Sequence, residues 1–436
     1  MDYKSAATQL ETGIRAAFIA EKIGCHIIKT KRGPRTLTTC LRLHEPDVKT
    51  LARVNRMGAT IEAWAGVSPV RIHSSAGYVY VEAPSPLVAT VYANSLAGDG
   101  LLIPLGMTTL GGVAGVDFEA DSHLLAVAPT NGGKTTALRA VIYHLARQMT
   151  PQQARFIVST FKPVDWEGVA RLAHTGGLIV DVEETVGMVD WLAGEMYRRT
   201  SEYRTTPRLF VVLDDLLNIL ARAPELAPTL AELASLGRGA GIHLIIGTQR
   251  LGKAGTGDAA VSGNITARVV FRTVSAQDAA LFTGRGDTGA EALGDQPGDA
   301  LLITTPGGVQ RVAVALTTGE DLAALPQGGG ARPWLSGGTA GGTSPVRGGG
   351  HTGTNGGMEG GIPATGTENG PNGAAGTGIL PLPYQEPTPP QMMTLAALYN
   401  RLGSKNKTLA KAYREGKTPK SLGWLNMALE KMGVRA

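Results

Sequence analysis

Residues 124–148 read LLAVAPTNGGKTTALRAVIYHLARQ and decide the fold of the central part of this 436-residue chain. An apolar run, a loop rich in Gly and Thr, and a segment with apolar residues at helical spacing follow one another. A strand that enters a Gly-rich turn and then a helix gathers several backbone N–H groups at the positive end of the helix dipole. The stretch therefore predicts a strand–loop–helix unit that binds an anion, with a nucleotide phosphate as the first candidate.

The loop APTNGGKT fits the phosphate-binding pattern G-x-x-x-x-G-K-[ST], except that Ala128 replaces the first glycine. Gly133 lets the backbone approach the phosphates, Lys134 reaches the β- and γ-phosphates, and Thr135 offers a hydroxyl to Mg²⁺. The first glycine shapes the loop without a side-chain contact, so we expect binding to survive the change. The predicted cofactors are ATP and Mg²⁺. The residues predicted to bind them are Ala128, Pro129, Thr130, Asn131, Gly132, Gly133, Lys134, Thr135 and Thr136.

Two carboxylates follow a second apolar run in RLFVVLDDLLNIL. We predict that Asp214 is a ligand of Mg²⁺, together with Thr135, and that Asp215 orients the attacking water. The alternative is an acidic pair that caps a helix beginning at Leu216.

A third apolar run, in GRGAGIHLIIGTQR, ends at Thr248 and Gln249. A polar side chain at the end of a strand beside the phosphate loop can sense the γ-phosphate, and we assign this role to Gln249. The alternative is a strand terminus whose polar groups hydrogen-bond locally.

Composition limits the classes of protein to consider. A hydrophobic fraction of 43% is enough for a core. No run approaches the roughly 18 apolar residues of a membrane span, and no signal peptide opens the chain. We therefore expect a cytoplasmic protein without membrane insertion. Cys25 and Cys40 are expected to be small buried residues with free thiols, and the alternative is a disulfide or a reactive thiol.

Changes in pattern divide the chain into five segments. In the third segment, residues 101–327, strand candidates alternate with helices. This alternation predicts an α/β fold with a mostly parallel sheet and functional residues at the carboxyl ends of its strands. These candidates are HLLAVA, RFIVST, GLIVD, RLFVVLD, IHLIIGT, ARVVFRT and DALLIT. The five segments are an amphipathic helix (1–23), a small α+β domain (24–100), the α/β domain (101–327), a Gly-rich flexible linker (328–381) and a small helical domain of helix-turn-helix or winged-helix type (382–436).

Positive charge is concentrated at the C-terminus. Residues 401–436 contain nine Lys and Arg against two Glu, a net charge of +7, so the other 400 residues sum to −2. A basic module on a near-neutral body indicates an anionic polymer as its partner, and the alternative is a solvated basic surface.

The order and spacing of five segments strongly resemble the FtsK/SpoIIIE family of DNA-translocating ATPases. They are HLLAVAPTNGGKTT, FVVLDDLLNIL, LASLGRGAGIHLIIGTQR, GNITARVVFRTVSAQDAALF and GAEALGDQPGDALLI, and the resemblance runs from about Gly106 to Ile303. It implies a RecA-like P-loop NTPase motor that assembles as a ring, a hexamer, around double-stranded DNA and moves it with ATP. The membrane portion typical of cell-division members is missing from this sequence. We therefore expect a soluble translocase of the kind that mobile elements carry.

The resemblance also implies an arginine that reaches the γ-phosphate of a neighbouring subunit. Arg238 matches the family motif best, Arg268 and Arg272 are the second choices, and the alternative for each is a surface ion pair. Lys162 and Asp165 occupy the position of a strand-end turn near the nucleotide. Asp215 stands where such motors usually carry glutamate, which together with Ala128 puts the rate of hydrolysis in doubt more than nucleotide binding.

Contacts with DNA are predicted in the loop after Gln249 and in the basic C-terminal domain, where phosphates would be contacted without reading sequence. The residues are Arg250, Lys253, Lys405, Lys407, Lys411, Arg414, Lys417 and Lys420. Two rival functions stay open. One is an ATPase for DNA packaging or conjugative transfer, and the other is a nucleotide-gated DNA-binding or partition protein with slow turnover.

Overall fold

The computed structural model describes residues 2–251, 257–329 and 332 of the chain. All of them belong to the first of two compact units, Met1–Gly337. The predicted helical domain (382–436) and nearly all of the predicted linker (328–381) lie outside the described residues. So do Lys253 and the basic residues Lys405, Lys407, Lys411, Arg414, Lys417 and Lys420.

The N-terminal part is a four-stranded antiparallel sheet with helices against it. Asp2 caps the first helix, since its carboxylate accepts a hydrogen bond from the amide of Ser5 at 2.9 Å. The apolar face of this helix shares one core with the sheet, which joins the segment 1–23 to the α+β domain from which the sequence analysis had separated it. The strand order is β1-β2-β4-β3. The elements are α1 (Tyr3–Ala20), β1 (Cys25–Arg32), β2 (Thr36–Leu43), α2 (Val48–Val54), α3 (Gly58–Ala65), β3 (Arg71–Ser75) and β4 (Tyr78–Pro84).

The central part is a ten-stranded mixed sheet, in the order β6-β5-β14-β13-β12-β7-β11-β10-β8-β9. The six strands from β12 to β9 are parallel, and the other four pair antiparallel, which confirms the α/β fold with a mostly parallel sheet. The strands are β5 (Leu102–Thr108), β6 (Val113–Asp117), β7 (Leu124–Val127), β8 (Ala154–Thr160), β9 (Thr175–Ile179), β10 (Arg208–Asp214), β11 (Ile242–Thr248), β12 (Ala267–Phe271), β13 (Asp299–Thr304) and β14 (Gly308–Val314).

Helices cover both faces of this sheet, so its central strands are buried on both sides. In β10, Phe210 and Val212 enter one apolar core while Val211 and Leu213 enter the other, as the two-residue period of a strand requires. The helices are α4 (Lys134–Gln148), α5 (Glu167–Ala170), α6 (Val182–Ser201), α7 (Leu216–Arg222), α8 (Leu226–Leu236), α9 (Gly257–Ser262), α10 (Ala276–Thr283) and α11 (Gly319–Ala323). No helix in the described part of the chain has the length and apolarity needed to cross a bilayer.

All seven predicted strands of the α/β domain are present, and three others escaped the sequence pattern. Pro104 and Gly106 interrupt the apolar run of β5, and both residue types are weak strand formers. Gln310 and Arg311 interrupt the apolar residues of β14, and its first three residues are only partly buried. Two short helices, α2 and α3, connect β2 with β3. Both cysteines carry free thiols, and Cys40 is buried while Cys25 is partly exposed.

Candidate nucleotide site

The loop between β7 and α4 has the backbone of a phosphate-binding loop. Asn131 and Gly133 adopt left-handed φ angles of 62° and 109°, and the amide of Gly132 closes a turn on the carbonyl of Pro129 at 3.0 Å. Ala128 is not among the left-handed residues, and its amide donates to the carbonyl of Thr248 in β11 at 3.2 Å. The loop therefore accommodates alanine in place of the first glycine without backbone strain.

Gly133 is the position at which the loop needs a glycine. A Cβ atom there would lie 2.9 Å from Cε1 of Phe271, on a backbone that side chains rarely adopt. The residue also caps α4, a helix of 15 residues whose first turn carries no acidic side chain. Its free N–H groups and dipole suit an anion. A cavity of 310 Å³ opens beside this helix end, and Lys134, Thr135 and Thr136 lie in its wall.

Asp214 ends β10 beside this loop, and its two oxygens have different surroundings. Oδ2 accepts hydrogen bonds from the indole Nε1 of Trp166 at 2.9 Å and from Oγ1 of Thr160 at 3.2 Å. Oδ1 lies 2.9 Å from Nζ of Lys134, outside hydrogen-bonding geometry, and has no hydrogen-bond partner among the described residues. A buried carboxylate oxygen of this kind fits a ligand of Mg²⁺, with the hydroxyl of Thr135 as its companion.

A chain of hydrogen bonds connects the loop with the second carboxylate. Gln249 accepts from Oγ1 of Thr130 at 3.3 Å and donates to Oδ2 of Asp215 at 3.3 Å. Asp215 has a left-handed φ of 82°, which is unusual for a residue with a side chain. It precedes α7, yet its carboxylate makes no capping bond and accepts instead from the side chain of Asn218 at 2.6 Å. The capping alternative therefore does not describe this side chain, which is oriented toward Gln249.

Sequence reasoning missed several side chains of this site. Lys162 and Asp165 were predicted near the nucleotide and do line the cavity, and Arg139 of α4, which was not predicted, lines it with them. Burial lowers the pKa of Arg139, and the charge of Asp165 opposes this shift. No motif could have indicated Arg139. Four other contacts of the site were also missed, namely Thr160, Trp166, Asn218 and Phe271.

A second cavity, of 620 Å³, adjoins the other side of the phosphate loop, with Phe271 and the turn 294–297 in its wall. Arg272 lies here and forms an ion pair with Asp295. It was predicted to act on a neighbouring subunit, but its place is beside the nucleotide loop of its own chain. This position makes it a poor candidate for an arginine supplied across an interface.

The other two predicted interface arginines differ sharply. Arg268 donates to four backbone carbonyls, those of Ser262, Ile265, Leu281 and Phe282, so its guanidinium is committed to holding loops and helix ends. Burial lowers its pKa. Arg238 is exposed, in the 3-10 turn that precedes β11, at the edge of the sheet opposite Gln249. Its exposed position leaves Arg238 accessible to a neighbouring subunit, and its role stays a prediction.

Arg250 follows Gln249 directly and is exposed, as a contact with a phosphate backbone requires. Its carbonyl accepts from Oγ1 of Thr248 at 2.8 Å, which fixes the start of the loop. Lys253, in the same loop, lies outside the described residues.

Comparison with known proteins agrees with this geometry, since residues 97–204 match the model of the FtsK/SpoIIIE family. The chain carries an FtsK/SpoIIIE domain. Proteins of this family are P-loop ATPases, and the matched residues include the phosphate-binding loop and the start of α4, whereas Asp214 lies beyond them.

Two relatives named DNA translocase FtsK are similar to this chain. The one from Helicobacter pylori is 26% identical over 337 residues, 69% of this chain and 38% of the relative. The one from Corynebacterium efficiens is 26% identical over 262 residues, 52% of this chain and 27% of the relative. The ESX secretion system protein EccC of Thermomonospora curvata is 27% identical over 235 residues, 46% of this chain and 18% of the relative. The matched part thus spans well under half of these relatives.

Among solved structures, the cytoplasmic domain of Thermomonospora curvata EccC is similar with a TM-score of 0.45 and 25% identity, over 52% of this chain and 30% of that one. The conjugation coupling protein TcpA of pCW3 is similar with a TM-score of 0.47 and 16% identity, over 72% of this chain and 95% of that one.

Proposed function

We propose that this protein is an ATP-driven translocase of double-stranded DNA that works as a ring of identical subunits. The observation that carries the proposal is the hydrogen-bonded chain from Thr130 through Gln249 to Asp215. It connects the loop that would hold the γ-phosphate with the carboxylate that would orient the attacking water, so the state of one can be sensed by the other.

Each residue of the site has a part in this proposal. Lys134 neutralises phosphate charge, Asp214 and Thr135 hold Mg²⁺, and Trp166 fixes the carboxylate of Asp214 through its indole N–H. When bound, Mg²⁺ would supply positive charge that stabilises the phosphates. Asp215 is one methylene shorter than glutamate, and its strained backbone brings the carboxylate within reach of Gln249.

A ring is proposed because the two halves of a complete site lie at opposite edges of one sheet. Gln249 follows the carboxyl end of β11 and Arg238 precedes its amino end. A subunit cannot bring its own Arg238 to its own phosphate loop, but a head-to-tail neighbour can. Heterologous contacts of this type form a ring when the rotation between neighbours closes, and a hexamer is the number that the family resemblance implies.

DNA is proposed as the cargo because relatives of this chain are named DNA translocases. The loop with Arg250 and Lys253 would contact phosphates in the pore, and the basic C-terminal segment would raise the local concentration of DNA through its tether. Relatives named as secretion system proteins match to a similar extent, which makes a role in secretion the second candidate.

The test compares ATP hydrolysis with and without duplex DNA, and then displacement of a triplex strand from linear DNA with ATP or a non-hydrolysable analogue. We expect DNA to stimulate hydrolysis and ATP alone to support displacement. Lys134→Ala should abolish both, whereas Lys49→Ala, at an exposed lysine of the α+β part, should change neither. Hydrolysis that is fast yet indifferent to DNA would reject the translocase and favour the secretion role.

A further inference from the structure

A line of buried charges runs from the N-terminal sheet into the large sheet. Arg311 of β14 donates two hydrogen bonds to Asp299 of β13, at 2.9 and 2.6 Å, and a third to Glu82 of β4 at 3.3 Å. Glu82 is 1% exposed, and Arg311 and Asp299 are each 4% exposed. We call Glu82, Arg311 and Asp299 the buried relay. It bridges 229 positions of sequence between Glu82 and Arg311.

The α+β part holds the Glu82 end of this relay through a second arginine. Arg71 of β3 donates to Glu82 at 2.8 Å and to the carbonyl of Thr288, in the loop between α10 and β13, at 2.9 Å. Burial alone would raise the pKa of Glu82, but Arg71 and Arg311 outweigh it and lower the pKa to about 2. Glu82 is therefore a carboxylate throughout the physiological range, and its two arginines are fixed by it.

The other end of the relay reaches the wall of the nucleotide site. Oδ2 of Asp299 accepts the amide of Gly294 at 2.9 Å, which holds the turn 294–297. Asp299 and this turn line the cavity beside the phosphate loop. The next residue, Gly298, lies against the loop itself, because its amide nitrogen is 3.3 Å from where a Cβ of Gly133 would stand.

We propose that Arg311 is a positioning residue for nucleotide binding, which holds the 294–298 turn against the phosphate loop and places that turn under the control of Glu82 in the α+β part. The inference rests on the proposed ATP site and adds to it a residue that touches no nucleotide. Guanidinium forks fix carboxylates bidentately, so Arg311 sets both the position and the orientation of Asp299.

This arrangement predicts a particular pattern of defects. If the relay only stabilised the fold, weakening it would lower the melting temperature and leave the binding of nucleotide to folded protein unchanged. If it positions the turn, weakening it raises the KM for ATP while kcat at saturation is largely kept, since the groups around the γ-phosphate are untouched. Coupling between sites is typically about 5- to 150-fold in affinity.

The experiment uses the full chain with conservative variants, since removing one partner of a buried ion pair outright destabilises a fold strongly. Glu82→Gln keeps the shape of the side chain and removes its charge, and Arg311→Lys keeps the charge and removes the fork. Binding of ATPγS is measured by calorimetry, ATP turnover by ADP release, and melting by circular dichroism. We expect each variant to bind about tenfold more weakly. The double variant should be no weaker than either one, since both act through the same contact.

Arg199→Lys is the matched control. Arg199 is also buried, bonds Glu195 at 2.7 Å and the carbonyls of Pro207 and Ala240, and lies at the sheet edge away from the phosphate loop. The Arg199→Lys protein should lose about as much stability as the relay variants and should keep its affinity for ATPγS. Wild-type affinity in a folded Glu82→Gln protein, or equal loss in the control, overturns the inference while the ATPase stands. Failure of the unmodified chain to bind ATPγS instead defeats the proposed function itself.

Discussion

An Arg238→Ala protein and an Asp215→Asn protein should each be nearly inactive alone and should restore ATP hydrolysis to one another when mixed. The two substituted residues act at opposite ends of β11, because Arg238 precedes the strand and Gln249, which hydrogen-bonds Asp215, follows it. The seven residues of β11 at about 3.3 Å each give a separation of about 23 Å, well beyond the reach of an arginine side chain. Arg238 can therefore complete only the site of another subunit.

The size of the effect follows from this geometry. An arginine supplied across an interface accelerates phosphoryl transfer by about 10³- to 10⁵-fold, so Arg238→Ala alone should retain at most about 0.1% of wild-type turnover. A positioned carboxylate that acts on the attacking water contributes about 10²- to 10⁴-fold, so Asp215→Asn alone should retain at most about 1%. In rings assembled from equal amounts, a working interface needs a subunit with intact Asp215 next to one with intact Arg238. Random placement provides this at about one interface in four, so the mixture should regain about a quarter of wild-type activity.

The assay mixes the two proteins under conditions that allow subunits to exchange, adds ATP and duplex DNA, and follows release of ADP. A mixture of Asp215→Asn with Lys134→Ala is the control, because both defects lie on the same side of the interface and no intact site can form. The reasoning is refuted if Arg238→Ala alone keeps near wild-type turnover. It is equally refuted if the first mixture stays as inactive as the control while size-exclusion chromatography shows assembled rings.

Three further changes test the site and the fold. Gly133→Ala should weaken ATPγS binding at least about tenfold, because the new Cβ would meet Phe271 on a left-handed backbone that costs about 1–3 kcal/mol. Gly187→Ala, whose Cβ enters open space in α6, is the control and should bind ATPγS normally. Weaker binding by Gly187→Ala than by Gly133→Ala in calorimetry would contradict this. Trp166→Phe removes the hydrogen bond to the buried carboxylate of Asp214, so it should lower the free energy of unfolding by about 1.5–3 kcal/mol in chemical denaturation and reduce kcat for ATP. If both the free energy of unfolding and kcat are unchanged, the indole has no role in the site. Burial lowers the pKa of His123 to about 3 and that of His243 to about 4, so the folded state stays unprotonated where the unfolded chain takes up protons. Stability should therefore fall by about 1.4 kcal/mol per histidine for each pH unit below about 6.5, and a melting temperature at pH 5.5 equal to or above that at pH 7 would contradict this.

Local pattern was sufficient to predict the parallel half of the sheet and the residues that end its strands. Asp214 and Gln249 each follow a continuous apolar run, and such runs in an α/β pattern end at one edge of the sheet. The neighbours of Asp214 could not be predicted in this way. Thr160 and Trp166 reach it because β8 lies next to β10, and adjacency of strands is a property of the topology that no single segment encodes.

The same limit applies to charged side chains far apart in sequence. Arg268 was predicted as a second-choice interface arginine, yet its guanidinium donates to four backbone carbonyls from two separate stretches of the chain, 262–265 and 281–282. Arg311 and Glu82 carry no motif at all, and only the packing of the α+β part beside β14 brings them together. Position relative to a strand end is readable from sequence, whereas the partner of a buried charge is not.

The strand that leads into the phosphate loop has a mechanical consequence for the proposed translocase. β7 is the shortest of the described strands, with four residues, yet it is paired along its whole length with β11 on one side and β12 on the other. Any displacement of the loop is therefore transmitted to both neighbouring strands, β11 and β12. β11 ends at Thr248, next to Gln249, and β12 ends at Phe271, so a displacement of the phosphate loop would reach Asp215 through Gln249 and would also reach Phe271 in the wall of the neighbouring cavity.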